Sequence, residues 1–263
     1  MTTAATPPTS GISDIANNGN EKSRIIQALE TFFRNGNADV LAQALKNQGM
    51  ETLIFDMDGT LINSESTNLA IVEDGLEQYG VTLNEAEKEE YVGTTIKSFC
   101  EMILKKRGID QAEEKAAAIS DSKDVKFPEL LEQNRIEAFT KVIDLIKKLH
   151  DKGFKFALVT SSKHNIMQAV LDHFKLANYF QIKYGREAAD DKLKPDPYIY
   201  KKALRNLETE PQKALIFEDS APGIKSAHGA RANVIVIKNL AEQNPQDIPS
   251  DNRIHRLDMT QFS

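Results

Sequence analysis

Two aspartates separated by one residue, at the end of an apolar run, constrain this chain more than anything else in it. Leu53-Ile54-Phe55-Asp56-Met57-Asp58-Gly59-Thr60-Leu61 reads as a strand of branched and aromatic side chains that stops at a glycine turn. Side chains two apart along a strand start on the same side, so Asp56 and Asp58 bring two carboxylates together where the strand ends. In open α/β sheets that edge is where sites are built.

The rest of the chain has the means to build such a sheet. It has 263 residues, room for one large domain or two modest ones. With 40% hydrophobic and 27% charged residues it can bury a sizeable core. A net charge of -6 carries no Lys/Arg surplus of the kind a nucleic-acid surface needs, so no nucleic-acid partner is expected. A local basic mouth for an anion stays compatible with that balance. The single cysteine, Cys100, cannot form an internal disulfide, which fits a reducing compartment. It lies among Phe99, Met102 and Ile103 and reads as a small core residue. There is no run of about 18 apolar residues, so no membrane span is expected. The first residues form neither a hydrophobic signal core nor an Arg-rich amphipathic leader, and the cytoplasm is the expected compartment.

In order, residues 1–20 are rich in Thr, Pro, Ser, Gly and Asn and are expected to form a flexible tail. Residues 21–50 carry Ile25, Ile26, Leu29, Phe32 and Phe33, then Val40, Leu41, Ala44 and Leu45, both at helical spacing around an Asn-Gly-Asn break. This N-terminal helical extension must bury its stripe, either as a layer on the main domain or as a dimer or partner contact. After the strand and its turn, Leu69, Val72, Leu76 and Tyr79 begin a charged, helix-favouring stretch that runs to about Phe139 without a strand. It reads as an all-helical cap over residues 65–146, inserted between two parts of one domain. That domain is expected to span 51–64 and 147–263. Lys155 to Thr160, Gln181 to Tyr184, Ala214 to Phe217 and Val234 to Ile237 read as further strands alternating with helices. The expected fold class is α/β, a Rossmann-like parallel sheet with helices on both faces. Asp196 is expected to cap the helix after the second of these strands, with Pro197 at its first position.

At the carboxyl ends of those strands stand Asp56 and Asp58, Thr160 and Ser161, Lys194, then Glu218 and Asp219. Four acids on one edge need a cation, and an oxygen-only set calls for a hard one such as Mg²⁺. The lysine and free backbone N–H groups beside them would welcome a phosphate. An EF-hand loop counted from Asp56 fails, because Leu61 and Thr67 occupy the positions that need Gly and Glu. The five histidines show no ligand spacing with one another or with the cysteine.

FDMDGTL, VTSS, KPDP and FEDSAPGIKSA, in that order, resemble the four motifs of the haloacid dehalogenase-like phosphatase superfamily. The helical insertion resembles its α-helical cap class, which includes phosphoglycolate phosphatase and β-phosphoglucomutase. The resemblance covers about residues 51 to 240. It implies a Mg²⁺-dependent phosphomonoester hydrolase acting on a small phosphorylated metabolite through an aspartyl-phosphate. Asp56 would be the nucleophile, Asp58 the acid/base and a further metal contact, and Lys194 the charge stabiliser. Thr160 and Ser161 would hold phosphate, the Gly59 turn would let backbone approach it, and Glu218 with Asp219 would complete a metal site with Asp56. Substrate would be read from the cap side by Asn68, Thr94, Thr95 and Lys97. A phosphosugar mutase of the same family is the alternative, but its histidine and arginine positions are Asn68 and Ile96, with Lys97 a partial substitute. A second alternative is a binding module that works through the N-terminal hairpin. Thr140-Lys141 stands at the family's Pro-Gly, implying a stiffer or longer second hinge. Arg231 stands where a helix-ending glycine is common, implying a shifted helix end.

Overall fold

A computed structural model describes residues 18–91, 94–239 and 246–262, with side chains from residue 24 onward. Most of the expected tail therefore lies outside the described residues, but Asn18 to Asn20 open a helix, α1 (Asn18–Asn35). The elements that follow are α2 (Ala38–Asn47), β1 (Thr52–Phe55), β2 (Ile62–Asn63), α3 (Glu65–Glu77), α4 (Glu85–Tyr91), α5 (Ile96–Lys106), α6 (Ala112–Glu132), β3 (Glu137–Ala138) and α7 (Thr140–His150). After them come β4 (Lys155–Val159), α8 (His164–His173), β5 (Ile182–Tyr184), α9 (Tyr198–Asn206), β6 (Ala214–Glu218), α10 (Ala221–Gly229), β7 (Asn233–Lys238) and β8 (Ile254–Asp258).

Six strands form one sheet in the order β5-β4-β1-β6-β7-β8, with every pairing parallel. The fold is the expected Rossmann-like α/β sheet. β1 is buried along its whole length, as an unbroken apolar run requires when helices cover both faces. Leu53 and Phe55 face one core and Ile54 the other, following the alternation of a strand. Phe55 stacks on Phe217 of β6 with ring centroids 4.5 Å apart. The chain leaves β1 toward β4 and β5 on one side and returns to β6 on the other. The reversal opens a crevice at the carboxyl end of β1, where Asp56 and Asp58 stand.

The N-terminal helices pack on this domain, α1 against β8 and α2 against α7. Ile25, Leu29, Phe32, Phe33, Leu41 and Leu45 are all buried there. Their apolar stripe is thus covered by the chain itself, the layer reading, at about 1.5–3 kcal/mol per large side chain. Val40 is the exception, half exposed. Helices α3 to α6 lie between β2 and β3, which pair antiparallel as a short ribbon. α3 and α6 approach closely at Gly75, where a Cβ would stand 2.4 Å from the Ile119 side chain. α6 also packs on α8 of the sheet domain, drawing the insertion over the crevice. Among the described residues no helix is long and apolar enough to cross a membrane.

Several boundaries differ from expectation. The line drawn between residues 146 and 147 falls inside α7, whose apolar face packs with the sheet domain. The chain returns from the insertion at β3, two residues too short to leave a pattern. The second hinge is not lengthened: Phe139 N–H donates to Leu61 O at 2.9 Å and α7 starts at the next residue. Pro197, not Asp196, precedes the first helical residue of α9, although Asp196 Oδ1 still accepts from Tyr198 N at 2.8 Å. α10 ends at Gly229 without a shift, and Arg231 itself takes the left-handed backbone (φ 65°) that glycine usually supplies. β8, an edge strand with alternating burial, was not expected at all.

Candidate active site

Register delivers the site. β1 pairs β4 and β6 so that Phe55 lies opposite Leu158 and Phe217. One step on, Asp56 stands beside Glu218, and Asp56 N–H donates to Phe217 O at 3.0 Å. The turn then reverses tightly: Leu61 N–H reaches back to Met57 O at 2.8 Å, with Gly59 in left-handed backbone (φ 74°). Asn239 Nδ2, from the end of β7, donates to Gly59 O at 3.0 Å and to Thr60 O at 3.2 Å, holding the turn from outside.

Lys194 arrives from the loop before α9, with only 5% of its side chain exposed. Its ammonium donates to Asp56 Oδ1 and Glu218 Oε1, both at 2.6 Å, and to Val159 O at 3.1 Å. Glu218 is also gripped by the Tyr200 hydroxyl at 2.7 Å and by Ser220 Oγ at 3.1 Å. With both oxygens engaged and no exposure, Glu218 holds Lys194 rather than facing the cavity. Asp219 does face the cavity, and Thr60 Oγ1 donates to its Oδ1 at 3.3 Å. Oxygens of Asp56, Glu218 and Asp219 lie within 4.8 Å of one another. That oxygen-only set suits a hard divalent cation such as Mg²⁺.

Crowding shifts these groups in opposite directions. Burial, with Glu218 and Asp58 adding to it against Lys194, pushes Asp56 up to about 8. Burial, then Asp56 and Glu218, hold Asp219 well above its ordinary value. Lys194 would be lowered by burial, but the carboxylates of Asp56 and Glu218 outweigh that and hold it raised. Asp58 goes the other way. Burial would raise it, yet the Lys123 ammonium and the hydroxyls of Ser64, Ser162 and Thr160 bring it below the ordinary carboxylate value. Ser162 Oγ donates to Asp58 Oδ2 at 2.7 Å and Thr160 Oγ1 to the same oxygen at 3.4 Å. Among the described residues Asp58 Oδ1 is buried without a hydrogen-bond partner, an acceptor left over for something that enters.

Asp56, Asp58, Gly59, Thr160, Ser161, Lys194 and Asp219 all line one cavity of about 470 Å³, a size suited to a small ligand. The insertion supplies Asn68, Thr94 and Thr95 to the same cavity. Lys97 is not among its walls; its ammonium pairs with Glu113 at 3.2 Å on the outside of the insertion. Sequence reasoning did not find Lys123 on α6, Ser162, Tyr200 or Arg186. Ser162 could have been found as the second serine of the VTSS motif. Lys123 sits on a charged helix where nothing in the pattern marks one cation from another. Cys100 is buried and pushed up to about 12 by that burial, an inert core thiol.

The same residues carry the chain's likeness to known proteins. The sequence profile of the haloacid dehalogenase-like hydrolases matches residues 53–237. A phosphorylated carbohydrates phosphatase of Thermotoga maritima is 29% identical over 183 residues, covering 69% of this chain and 82% of that one. Phosphoglycolate phosphatase of Aquifex aeolicus is 28% identical over 184 residues, 70% of this chain and 81% of that one. The crystal structure of CbbY from Rhodobacter sphaeroides in complex with phosphate matches with a TM-score of 0.65 at 25% identity, covering 79% of this chain and 93% of that one. Because the matched stretch runs from β1 through β7 and takes in every strand end that furnishes the site, the chain belongs to the haloacid dehalogenase-like hydrolase family.

Proposed function

We propose that this protein is a phosphatase that hydrolyses small phosphate monoesters with Asp56 as nucleophile. The observation that carries the reading is the pairing of two carboxylates in opposite electrostatic states in one capped cavity. Asp56 lies against Lys194, and Asp58 lies against Ser162 and Thr160. Phosphatases among the relatives support the same reaction class.

An oxygen of Asp56 attacks phosphorus, forming an O–P bond as the bond to the leaving oxygen breaks. Lys194, Thr160 and the Ser161 backbone hold the phosphoryl oxygens while charge redistributes among them. At its unsatisfied Oδ1, Asp58 takes the proton that the substrate's phosphate monoanion carries in and passes it to the departing oxygen. The aspartyl-phosphate is then opened by water, whose proton Asp58 takes, restoring Asp56. That second half requires Asp58 as a carboxylate, the form that the Lys123 ammonium and the Ser64, Ser162 and Thr160 hydroxyls favour against burial.

Asp56 and Asp219 would hold Mg²⁺, with the Asp58 backbone carbonyl as a further contact and Glu218 one layer behind. When bound, the ion supplies positive charge that keeps Asp56 ionised and draws the phosphate to it. Thr94, Thr95 and Asn68 would close over the leaving group from the helical cap, which the ribbon of β2 and β3 joins to the sheet domain. Asn68 and Ile96 in place of a histidine and an arginine favour hydrolysis over mutase chemistry. The test is turnover of p-nitrophenyl phosphate with and without Mg²⁺. Wild type should need the metal, and Asp56→Asn should be inactive. Metal-dependent turnover surviving in Asp56→Asn would sink the nucleophile assignment.

A further inference from the structure

Four cations line the cavity: Lys123, Lys163, Arg186 and Lys194. Three are committed. Lys194 holds Asp56 and Glu218 at 2.6 Å. Lys163 pairs with Asp124 at 2.6 Å and Asp121 at 3.6 Å. Lys123 bears on Asp58, whose charge it favours. The guanidinium of Arg186 has no ion pair or side-chain hydrogen bond among the described residues and bears on none of the site's carboxylates.

Its mount, by contrast, is firmly held. Arg186 opens a 3₁₀ turn (Arg186–Ala189) directly after β5. Its N–H donates to Ser162 O at 2.8 Å, one residue from Ser161. The next residue, Glu187, accepts from His164 N at 3.0 Å, fastening the turn to the start of α8. Gly185 allows the approach, since a Cβ there would stand 3.0 Å from His164 N. A fixed backbone beside the phosphate loop thus carries an exposed five-donor fork without a partner among the described residues.

We propose that Arg186 is a specificity-determining residue that recognises a second anionic group on the substrate, a carboxylate or second phosphate carried by the leaving group. The proposal rests on the phosphatase reading for the orientation of that substrate. The transferred phosphate already has Lys194 and the Thr160–Ser161 loop. The remaining acidic group of the molecule would point past Asp58 toward the mouth, where Arg186 stands. A charge-assisted pair at such a partly exposed place discriminates roughly three- to tenfold.

Binding separates this proposal from the chemistry. In an Asp56→Asn background with Mg²⁺, titration calorimetry compares 3-phosphoglycerate with glycerol 3-phosphate, and fructose 1,6-bisphosphate with fructose 6-phosphate. The first pair reports a carboxylate and the second a phosphate. We expect at least one pair to favour its more anionic member by roughly three- to tenfold. Adding Arg186→Gln should abolish that preference, Arg186→Lys should restore part of it, and Lys192→Gln, an exposed cation outside the cavity, should leave it alone. A preference untouched by Arg186→Gln, or no preference in either pair, overturns the assignment. Hydrolysis of p-nitrophenyl phosphate by wild type is measured alongside. Its absence, with the Arg186-dependent preference intact, would overturn the phosphatase reading and leave this one standing.

Discussion

Among the described residues, carboxylates are buried in two places and treated in opposite ways. In the insertion, Glu87 has 2% of its side chain exposed and meets Arg107 at 2.8 Å and Lys106 at 2.9 Å, with Asn84 N–H donating at 3.2 Å. The Arg107 hydrogen bonds lead in drawing it down to about 2. At the sheet edge, Asp56 and Glu218 share one ammonium, that of Lys194, and an Asp219 oxygen lies within 4.8 Å of theirs. One carboxylate with two cations is a structural tie. At the sheet edge burial leads, with Glu218 and Asp58 adding to it and Lys194 answering only in part, and Asp56 sits at about 8. The difference separates a joint that is finished from a site that waits for charge to arrive.

The largest effects should come from emptying the second place. Asp56→Asn should lower phosphatase turnover by about 10⁴-fold or more, as removal of a covalent nucleophile does. In metal-free protein at pH 9 the same change should raise the Tm, because it removes one of the crowded charges. Activity and stability moving in opposite directions would mark the site as strained for function. A fall in both would put Asp56 with the structural ties.

Lys194→Met comes next. It leaves the buried carboxylates of Asp56 and Glu218 without their cation and should cost about 3–5 kcal/mol in chelator, read from urea melts. Mg²⁺ at a hundred times its Kd should return about 2.7 kcal/mol. If the metal returned nothing, the cluster would not be its site.

The two places should also respond to pH with opposite sign. Unfolded, Asp56 reverts to an ordinary value of 3.8. Between there and about 8 the folded chain keeps a proton that the unfolded chain has lost, so stability falls as pH rises through this window. Glu87 is lowered from 4.5 to about 2, so its contribution is present above 4.5 and is lost as pH falls toward 2. Urea melts across pH in chelator should show both limbs. Asp56→Asn should flatten the upper one and Glu87→Gln the lower, while Mg²⁺, replacing the proton, should flatten only the upper. An upper limb unchanged in Asp56→Asn would remove the premise of the contrast.

How far this was visible in sequence follows the same division. Asp56, Asp58, Thr160, Ser161, Lys194 and Asp219 stand in short motifs at strand ends, where register alone brings them together, and they line one cavity. The sheet was legible because its central strands are continuous apolar runs. Glu87 was hidden in a Lys/Glu run read as a solvated face. What makes it buried is Arg107, 20 residues away and brought in by helix packing. Lys97 and Lys123 show the limit from the other side: two lysines on amphipathic helices, one outside on Glu113 and one in the cavity wall. Which way a helix turns is settled by partners that a local window does not contain.

A smaller effect tests how the finished and waiting regions communicate. Lys163, beside the phosphate loop, pairs with Asp124 of α6 at 2.6 Å, with 38% and 31% of the two side chains exposed. The pair ties the insertion to the sheet domain across the cavity mouth. At that exposure it is worth up to about 1 kcal/mol, so Lys163→Met should raise KM for p-nitrophenyl phosphate by at most about fivefold. Added salt should bring the wild-type KM toward that of the variant. A KM indifferent to both would mean that the insertion stays closed without this tie.

The smallest effect lies in neither region and calibrates both. Arg231 holds left-handed backbone (φ 65°) just after α10, and its side chain is exposed. There, a Cβ crowds its own carbonyl, which costs an L-residue about 1 kcal/mol and glycine nothing. Glycine loses some of that gain to its freer unfolded chain. Arg231→Gly should therefore stabilise by about 0.5 kcal/mol, a rise of about 1–2 °C in Tm. Its cause is steric, so the gain should be the same at pH 5 and pH 9 and with or without Mg²⁺. A constant gain gives the background against which the pH-dependent shifts of Asp56→Asn and Glu87→Gln are measured. A gain that varied with pH would tie Arg231 to the charge balance of the sheet edge, and the contrast between the two carboxylate clusters would then have to include it.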